Sequence, residues 1–510
     1  MPIGHKKSAE NPAIDEELGV KNKTPFLTGF STRLFGSAQA KTQDIVARKR
    51  RSLIEGTLDL QQQFIDEVDP GLLERYSRTR RNRHYPDHQT FWAFFSQVVD
   101  DDGSCAAAVA RVQAWAEQRA LPVPGQSTSS YCEARANLPV EMLRAVNNSL
   151  YQQLDAHLPS KAHWRGLRPR AEDGTTAQMP DTEANREQYP YWHGQQQGCA
   201  FPMVRLGALI DLSHGGLCEF ATSGMDTSEL RNHQQLEGKL QAGDVFIADR
   251  LYSGFELIQR LASRGVQFIG RTHRSRKIDF CQGRKIGPNE RLVTWTKPRQ
   301  LPKGSALNKE QWKAFPNELQ VRLIRCKGPD REGKQKTRYI VTTLLDPKTY
   351  PADEVASLYL HRWEIEVRFR DIKTTLGMEM LRTKSPKLIE KELLMHQIVY
   401  NLMRLVMLKA ATANGISHRR LSFRGVQQVI LAFVDNFREL ACRPLLRLQQ
   451  REKMWARIAE RNVTERPGRN EPRRVKRRPK CTRWLQKPRN EYFEHFQCEK
   501  PPMKILDNPA

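Results

Sequence analysis

The 510-residue chain contains no Cys-x-x-Cys pair, and its nine cysteines, at 105, 132, 199, 218, 281, 326, 442, 481 and 498, are scattered. That spacing argues against a cysteine zinc site, and the length argues against a disulfide-held scaffold, so a reducing, cytoplasmic setting fits. A long apolar run is also missing. The most apolar region, residues 393–411, carries His396, Gln397, Asn401, Arg404 and Lys409, which reads as a buried helix and not as a membrane span. The first residues, MPIGHKKSAENPAIDEE, hold no apolar signal region. No GxxxxGK loop followed by Ser or Thr occurs, so nucleoside triphosphate hydrolysis has no support, and no Ser-His-Asp or Cys-His set assembles with any specificity.

Negative charge is scarce relative to positive: 57 Asp plus Glu stand against 83 Lys plus Arg, a net charge of +26. Hydrophobic residues at 39% and aromatics at 8% are too many for a disordered chain, while 27% charged is ordinary, so the anomaly lies in sign and not in amount. Such an imbalance attracts polyanions, either nucleic acid or an anionic membrane surface. The length predicts about three or four domains.

Residues 1–45 form a polar, weakly patterned arm, and Arg48, Lys49, Arg50 and Arg51 then open a region of helices to about residue 160. Within it Ser104 is placed to cap a helix reaching about Ala120, with Ala106, Val109, Val112, Trp115 and Ala116 at helical spacing. The region reads as a separate helical domain. From 161 to 271 the pattern changes. VRLGALIDL and GLCEFATS read as strands joined at His214-Gly215-Gly216, DVFIAD as a buried strand ending in Asp249, and VQFIGR as a further strand after a helix over 255–264. This predicts a mixed α/β core. Residues 272–351 are basic and β-like, with no strong helix signal, and read as a β-rich insertion. Helical periodicity resumes over 352–410 and continues over 411–461. In the tail, 462–510, the stretch from Asn462 to Asn490 has eleven basic and two acidic residues among prolines, which predicts an extended, solvated segment.

The most informative segment is LYLHRWEIEVRFRDIKTTL, Leu358 to Leu376. Wound at about 100° per residue, it places Leu358, Ile365, Phe369, Ile372 and Leu376 in one arc of roughly 60°, a core stripe, with Tyr359, Arg362, Glu366 and Lys373 in an adjacent arc. A carboxylate thus stands between two cations and an aromatic ring at the edge of a buried face. Such a carboxylate can ligate a hard metal ion, and Arg and Lys beside it can hold phosphate oxygens. The plain alternative is that Glu366 pairs with Arg362 or Arg370 one turn away, for a few tenths of a kcal/mol.

Tyr359, Arg362, Glu366 and Lys373 reproduce the signature of the Tyr-Arg-Glu-Lys branch of the DDE transposases, the insertion-sequence-four type, which the chain resembles from about residue 75 to 410. EDGTTAQMPDTEAN, GDVFIADRLYSG, LVTWTKP and TTLLDPKTYP extend that resemblance. It implies a ribonuclease-H-like mixed sheet core with a β-rich insertion and helical N- and C-terminal regions. The implied metal-binding, catalytic acids are Asp173, Asp249 and Glu366, with two Mg2+ ions, or Mn2+ as a substitute. Residues 46–160 would bind the DNA end. Tyr359, Arg362 and Lys373 would contact DNA, and Trp295 would stack on an unpaired base, although a tryptophan packed in the insertion's own core is an equal reading. The partners implied are double-stranded DNA, as element ends and as target, and a second copy of the chain in the DNA complex; no membrane is implied.

Asp249, at the end of a buried strand, suits a metal site by its position alone, and the 366 − 249 = 117 residue gap to Glu366 is accounted for by the insertion. Asp173 departs from the family pattern. RGLRPRAE before it is charged and contains Pro169, whereas a central strand is usually apolar and free of proline. A strand starting near Ala171, an alteration in this copy, or another acid, Asp181 or Asp211, stay open. Arg271, His273, Arg274, Arg276 and Lys277 follow a core strand and line either a DNA channel or a solvated loop; His361 lies outside the signature arc. Two further readings remain beside transposition, a nuclease on the same core without strand transfer and a DNA-binding copy that has lost catalysis. Removing the tail after residue 461 is expected to lower DNA affinity and flatten its dependence on salt in a binding titration, because a chain that neutralises fewer phosphates releases fewer counterions; an unchanged slope would assign the tail another role.

Overall fold

The structure is a computed structural model that describes residues 59–78, 84–158, 163–192, 198–273, 275–329, 335–438, 440, 443–464, 485–487 and 491. The polar arm, Arg274 and most of the basic tail therefore lie outside the described residues.

The chain begins with helices α1 (Asp59–Gln63), α2 (Pro70–Tyr76), α3 (Asp87–Val99), α4 (Cys105–Gln118), α5 (Ser129–Asn137) and α6 (Val140–His157). The Ser104 hydroxyl caps α4 by accepting from the Ala107 N–H at 3.1 Å, as its position before the apolar periodicity predicts. Helix α3 is buried along almost its whole length, with Phe91, Trp92, Phe94 and Phe95 inside.

A nine-stranded sheet follows, built from β1 (Arg168–Gln178), β2 (Met203–Asp211), β3 (Leu217–Ser223), β4 (Asp244–Ala248), β5 (Gln267–Arg271), β6 (Arg284–Gly287), β7 (Glu290–Thr296), β8 (Glu318–Pro329) and β9 (Gln335–Thr342), in the order β3-β2-β1-β4-β5-β9-β8-β7-β6. Strand β1 is antiparallel to β2 and parallel to β4, and β4 is parallel to β5. The first five strands are thus a mixed, ribonuclease-H-like sheet. The β-rich insertion is not a separate body. Its strand β9 pairs antiparallel with β5, so the insertion extends the core sheet past β5 and occupies what would be an open edge. The insertion also contains a short helix, Lys309–Ala314, with a full capping box from Asn308 and Gln311, which the basic composition of the segment concealed.

Strand β1 runs from Arg168, and not from Ala171. Pro169 is tolerated because ladder pairing with β2 begins only at Arg170, while the Pro169 carbonyl accepts from the Leu212 N–H at 2.9 Å. Each charged side chain leading to Asp173 has a partner. Arg168 binds Asp211 and Asp155 and donates to the Tyr151 hydroxyl at 3.1 Å. Arg170 lies 3.4 Å from Asp244, and Glu172 lies 2.6 Å from His233 and accepts from the Tyr252 hydroxyl at 3.3 Å. Buried charge is admitted because it is neutralised in place.

The signature segment consists of Ala352–Leu360, a 3₁₀ turn at His361–Trp363, Glu364–Arg370 and a π turn at Asp371–Thr375. After it comes a 28-residue helix, Pro386–Ala413, buried along most of its length. Its polar residues clamp the β2–β3 turn. Asn401 accepts from the Leu217 N–H and donates to the Leu217 carbonyl, Tyr400 donates to the Gly215 carbonyl at 2.6 Å, and Arg404 donates to the His214 carbonyl at 2.8 Å. A Cβ on Gly215, at φ +73°, would stand 2.6 Å from an Arg404 nitrogen, so only glycine fits this turn. Among the described residues no helix is long and apolar enough to cross a membrane.

Two last helices, Phe423–Phe433 and Pro444–Ala459, return to the first ones: Gln427 donates to the Val99 carbonyl and Gln63 to the Ile430 carbonyl. One hydrophobic core runs from Leu60 to Ile458. The N-terminal helices are therefore not a separate domain; their apolar faces are covered by the C-terminal helices, a long-range pairing that local periodicity does not report. Asp211 is fully buried, and although burial alone raises its carboxyl, His214, Arg168 and Arg170 together hold it below the usual range. Replacing Arg168 with Met, which strands this carboxylate, is expected to cost about 3–5 kcal/mol in guanidinium denaturation. Because the folded-state value is depressed, the stability Asp211 contributes is present above the unfolded carboxylate value of about 3.9 and is lost as pH falls below it.

Candidate active site

The last parallel ladder pair between β1 and β4 is Ala171 with Ile247. Two residues further along each chain, 171 + 2 and 247 + 2, come Asp173 and Asp249, so adjacent strands deliver two carboxylates side by side. Asp249 has left the ladder and precedes a 3₁₀ turn, Arg250–Tyr252, accepting the Tyr252 N–H on its carbonyl at 3.0 Å. Asp173 accepts from the Gly174 N–H at 2.9 Å and from Arg362 Nη1 at 3.0 Å. Its carboxyl lies above the usual range, pushed up first by burial and also by the negative charge of Asp249, against the Gly174 N–H and the Arg362 cation. Beneath it Glu172, on the other face of β1, is held by His233 and Tyr252. Tyr252 supports this strand from three residues after Asp249, in GDVFIADRLYSG, a role visible only once the strands are paired.

The signature segment crosses this pair. The Tyr359 hydroxyl is hydrogen-bonded with Arg362, burial raises its pKa, and both Asp249 and Arg271 act on it electrostatically. Glu366, half-buried, follows one turn later in the first turn of Glu364–Arg370, and Lys373, also half-buried, lies in the π turn. The four signature residues do not share a regular α-helix. The 3₁₀ turn winds at about 120° per residue, more than an α-helix, and the π turn winds less, so the two departures partly offset along the arc. The structure thus brings Asp173, Asp249, Tyr359 and Arg362 together, with Glu366 next on the same segment. A cavity of about 430 Å³ lies behind the π turn, lined in part by Gln97, Thr374, Arg382 and His396, and contains none of these acids.

Among the described residues one group of three metal-capable side chains has its ligand atoms within 4.8 Å of one another: Asp155, Asp211 and His214. Its cation is already present, because Arg168 binds both carboxylates. His214 Nδ1 accepts from the Gly216 N–H at 2.9 Å and Nε2 faces Asp155 at 2.9 Å, so the three side chains are already paired with one another and with Arg168 in a buried ion-pair network. Asp211 therefore belongs to a framework apart from Asp173, and Asp181 is held by Arg186 and Tyr191. His361 pairs with Glu364 at 2.7 Å. Trp295 is 5% exposed in a hydrophobic cluster that the insertion shares with core residues such as Phe246, Phe255 and Phe268, and the Arg276 guanidinium lies 3.8 Å from its ring centroid. His273 bonds the Ser275 hydroxyl at 2.7 Å.

Strand order and the mixed sheet define a core of ribonuclease-H-like fold, with two acids on adjacent strands and the signature segment beside them. Residues 164–402 match a family model described as a transposase DDE domain. The chain is 27% identical over 376 residues to the transposase InsG for insertion sequence element IS4 of Escherichia coli strain K12, covering 70% of this chain and 79% of that protein. It is 26% identical over 208 residues to the putative transposase InsL for IS186A of the same strain and to the transposase for IS421 of Escherichia coli, covering 34% of this chain and 53% of each. Residues 164–402 thus carry the mark of a transposase DDE domain, and the chain as a whole is similar to transposases of insertion sequence elements of the insertion-sequence-four type.

Because Trp295 is packed on both its core side and its Arg276 side, Trp295→Ala is expected to destabilise the chain by about 3–5 kcal/mol in chemical denaturation. A loss below about 1 kcal/mol would show that the ring contributes little to packing and is kept for contact with something else.

Proposed function

We propose that the protein binds the terminal inverted repeats of its own element and catalyses metal-dependent DNA cleavage and strand transfer, with Asp173, Asp249 and Glu366 as the metal-holding acids. The observation that carries this reading is the Asp173–Asp249 pair, delivered by adjacent parallel strands under Arg362 and Tyr359. The donor set fits a hard divalent ion, being made of carboxylate oxygens alone, and the charge of Asp249 raises the Asp173 carboxyl, a repulsion that a cation relieves. Mg2+, or Mn2+ in its place, supplies there the polarisation of phosphate oxygens and the activation of water or a 3′-hydroxyl. Arg362 and Lys373 hold DNA phosphates beside the cut, and Tyr359 stacks against a displaced base or sugar.

Cutting frees a 3′-hydroxyl at the element end, which attacks the opposite strand to give a hairpin end and later attacks target DNA. The N-terminal helices, with the basic insertion and tail, form the surface that holds the element end, and two copies of the chain bring two ends together. The paired charges of β1 support the reading of an intact catalytic strand over that of a decayed copy.

Asp249→Ala and Glu366→Ala are each expected to lower metal-dependent cutting of an element-end duplex by about 10³-fold or more while DNA affinity changes little. Asp155→Asn is expected to leave the metal requirement as it is. Undiminished cutting by either of the first two variants overturns the site assignment, and loss of metal dependence in folded Asp155→Asn would move the metal centre to the buried cluster.

A further inference from the structure

We infer that Arg362 is a built-in counter-ion that occupies the acid pair in the absence of metal, and that DNA phosphate, by drawing Arg362 away, opens the site to the divalent ion. This rests on the reading of Asp173 and Asp249 as metal ligands. Arg362 Nη1 lies 3.0 Å from Asp173 Oδ2, and both Asp173 and Asp249 act on its charge. A guanidinium donating to that oxygen and a divalent ion ligated by it compete for the same carboxylate, since the two cations repel at such short range.

Two further observations show that the present seat of Arg362 is not its best one. Its Nε is buried and donates to nothing, although an arginine presents a rigid fork of donors suited to two acceptors at once. A phosphate offers two oxygens in that geometry and satisfies the fork bidentately. Arg362 also stands in the 3₁₀ turn His361–Trp363, between two α-helical segments, and a 3₁₀ stretch within a helix is a frequent site of hinging. Only the side chain, and at most this one turn, has to move for the guanidinium to pass from carboxylate to phosphate.

The consequence is a linkage. Without DNA the site neutralises itself and binds metal weakly; with DNA in place it binds metal tightly, and by reciprocity metal tightens DNA binding by the same factor. Such coupling confines the loaded, cutting form of the site to the DNA complex.

Mn2+ binding to the full chain, followed by electron paramagnetic resonance with and without a duplex carrying the element's own terminal repeat and a 3′-deoxy end, tests this. Asp249→Ala with the same duplex supplies the background of Mn2+ held by DNA alone. Wild type is expected to bind Mn2+ on the order of tenfold more tightly with the duplex. Arg362→Gln is expected to bind it about as tightly without duplex as wild type does with it, and to lose the response to DNA. Arg362→Lys, which keeps a charge without the fork, is expected to fall between, and stands in for Arg362→Gln should that variant melt early. Arg362→Gln, or in its place Arg362→Lys, binding no tighter than wild type without duplex overturns the inference alone. Asp249→Ala binding Mn2+ as wild type does overturns the reading of the site, and the inference with it.

Discussion

The neutralisation of charge inside strand β1 is the constraint on which the rest depends. A central strand is buried on both faces, and three charged side chains in five residues would ordinarily keep it out of the sheet. Arg168 with Asp211 and Asp155, Arg170 with Asp244, and Glu172 with His233 remove that obstacle pair by pair. The partners come from α6, the β2 end, the β4 start and the helix after β3, so the strand enters the sheet only as those elements assemble around it. Its register against β4 then follows, and that register sets Asp173 beside Asp249.

The same electrostatic logic repeats on the long helix that closes the core. Polar residues interrupt what would otherwise be a wholly apolar helix, and Tyr400, Asn401 and Arg404 among them find backbone partners on the β2–β3 turn or a side chain on α6. A buried polar group left without such a partner costs on the order of 1–3 kcal/mol, so this set specifies one docking position. The helix thereby locks the two sides of the protein, the N-terminal helices and the sheet, to the element that follows the signature segment. Polar composition in that helix marks a tertiary clamp, where composition alone excludes only a membrane span.

Charge also explains how an acidic centre is held in a chain of net charge +26. Asp173 is kept from full solvation by burial and from isolation by Arg362. Around it Tyr359, Arg271 and the basic insertion present cations and an aromatic ring, surfaces that suit a phosphate backbone whose approach would otherwise be opposed by the carboxylates. The insertion contributes through continuity, since β9 lies directly on β5 and carries the basic β8–β7–β6 strands outward from the core.

Much of this is legible in the residue order. Apolar runs bounded by turn residues mark the core strands, helical periodicity with Ser104 as cap marks α4, and the spacing of Tyr359, Arg362, Glu366 and Lys373 marks the candidate active-site segment, because these signals are local and repeat within a few residues. What escapes such a reading depends on pairs far apart in the chain. The polarity before Asp173 looks unsuited to a central strand because its neutralising partners lie far along the chain, as Asp244 does from Arg170. The 3₁₀ and π turns depart from an even 100° per residue under packing that a single helix does not reveal. The fusion of first and last helices into one core, and of the insertion into one sheet, likewise rests on pairings across hundreds of residues. Residue order alone marks which segments are strand or helix and which side chains are candidates for chemistry, since periodicity and spacing are short-range properties. Which charges neutralise which, and so which acids are framework and which are left facing a ligand, is settled by the folded arrangement, because burial and pairing exist only once distant segments meet.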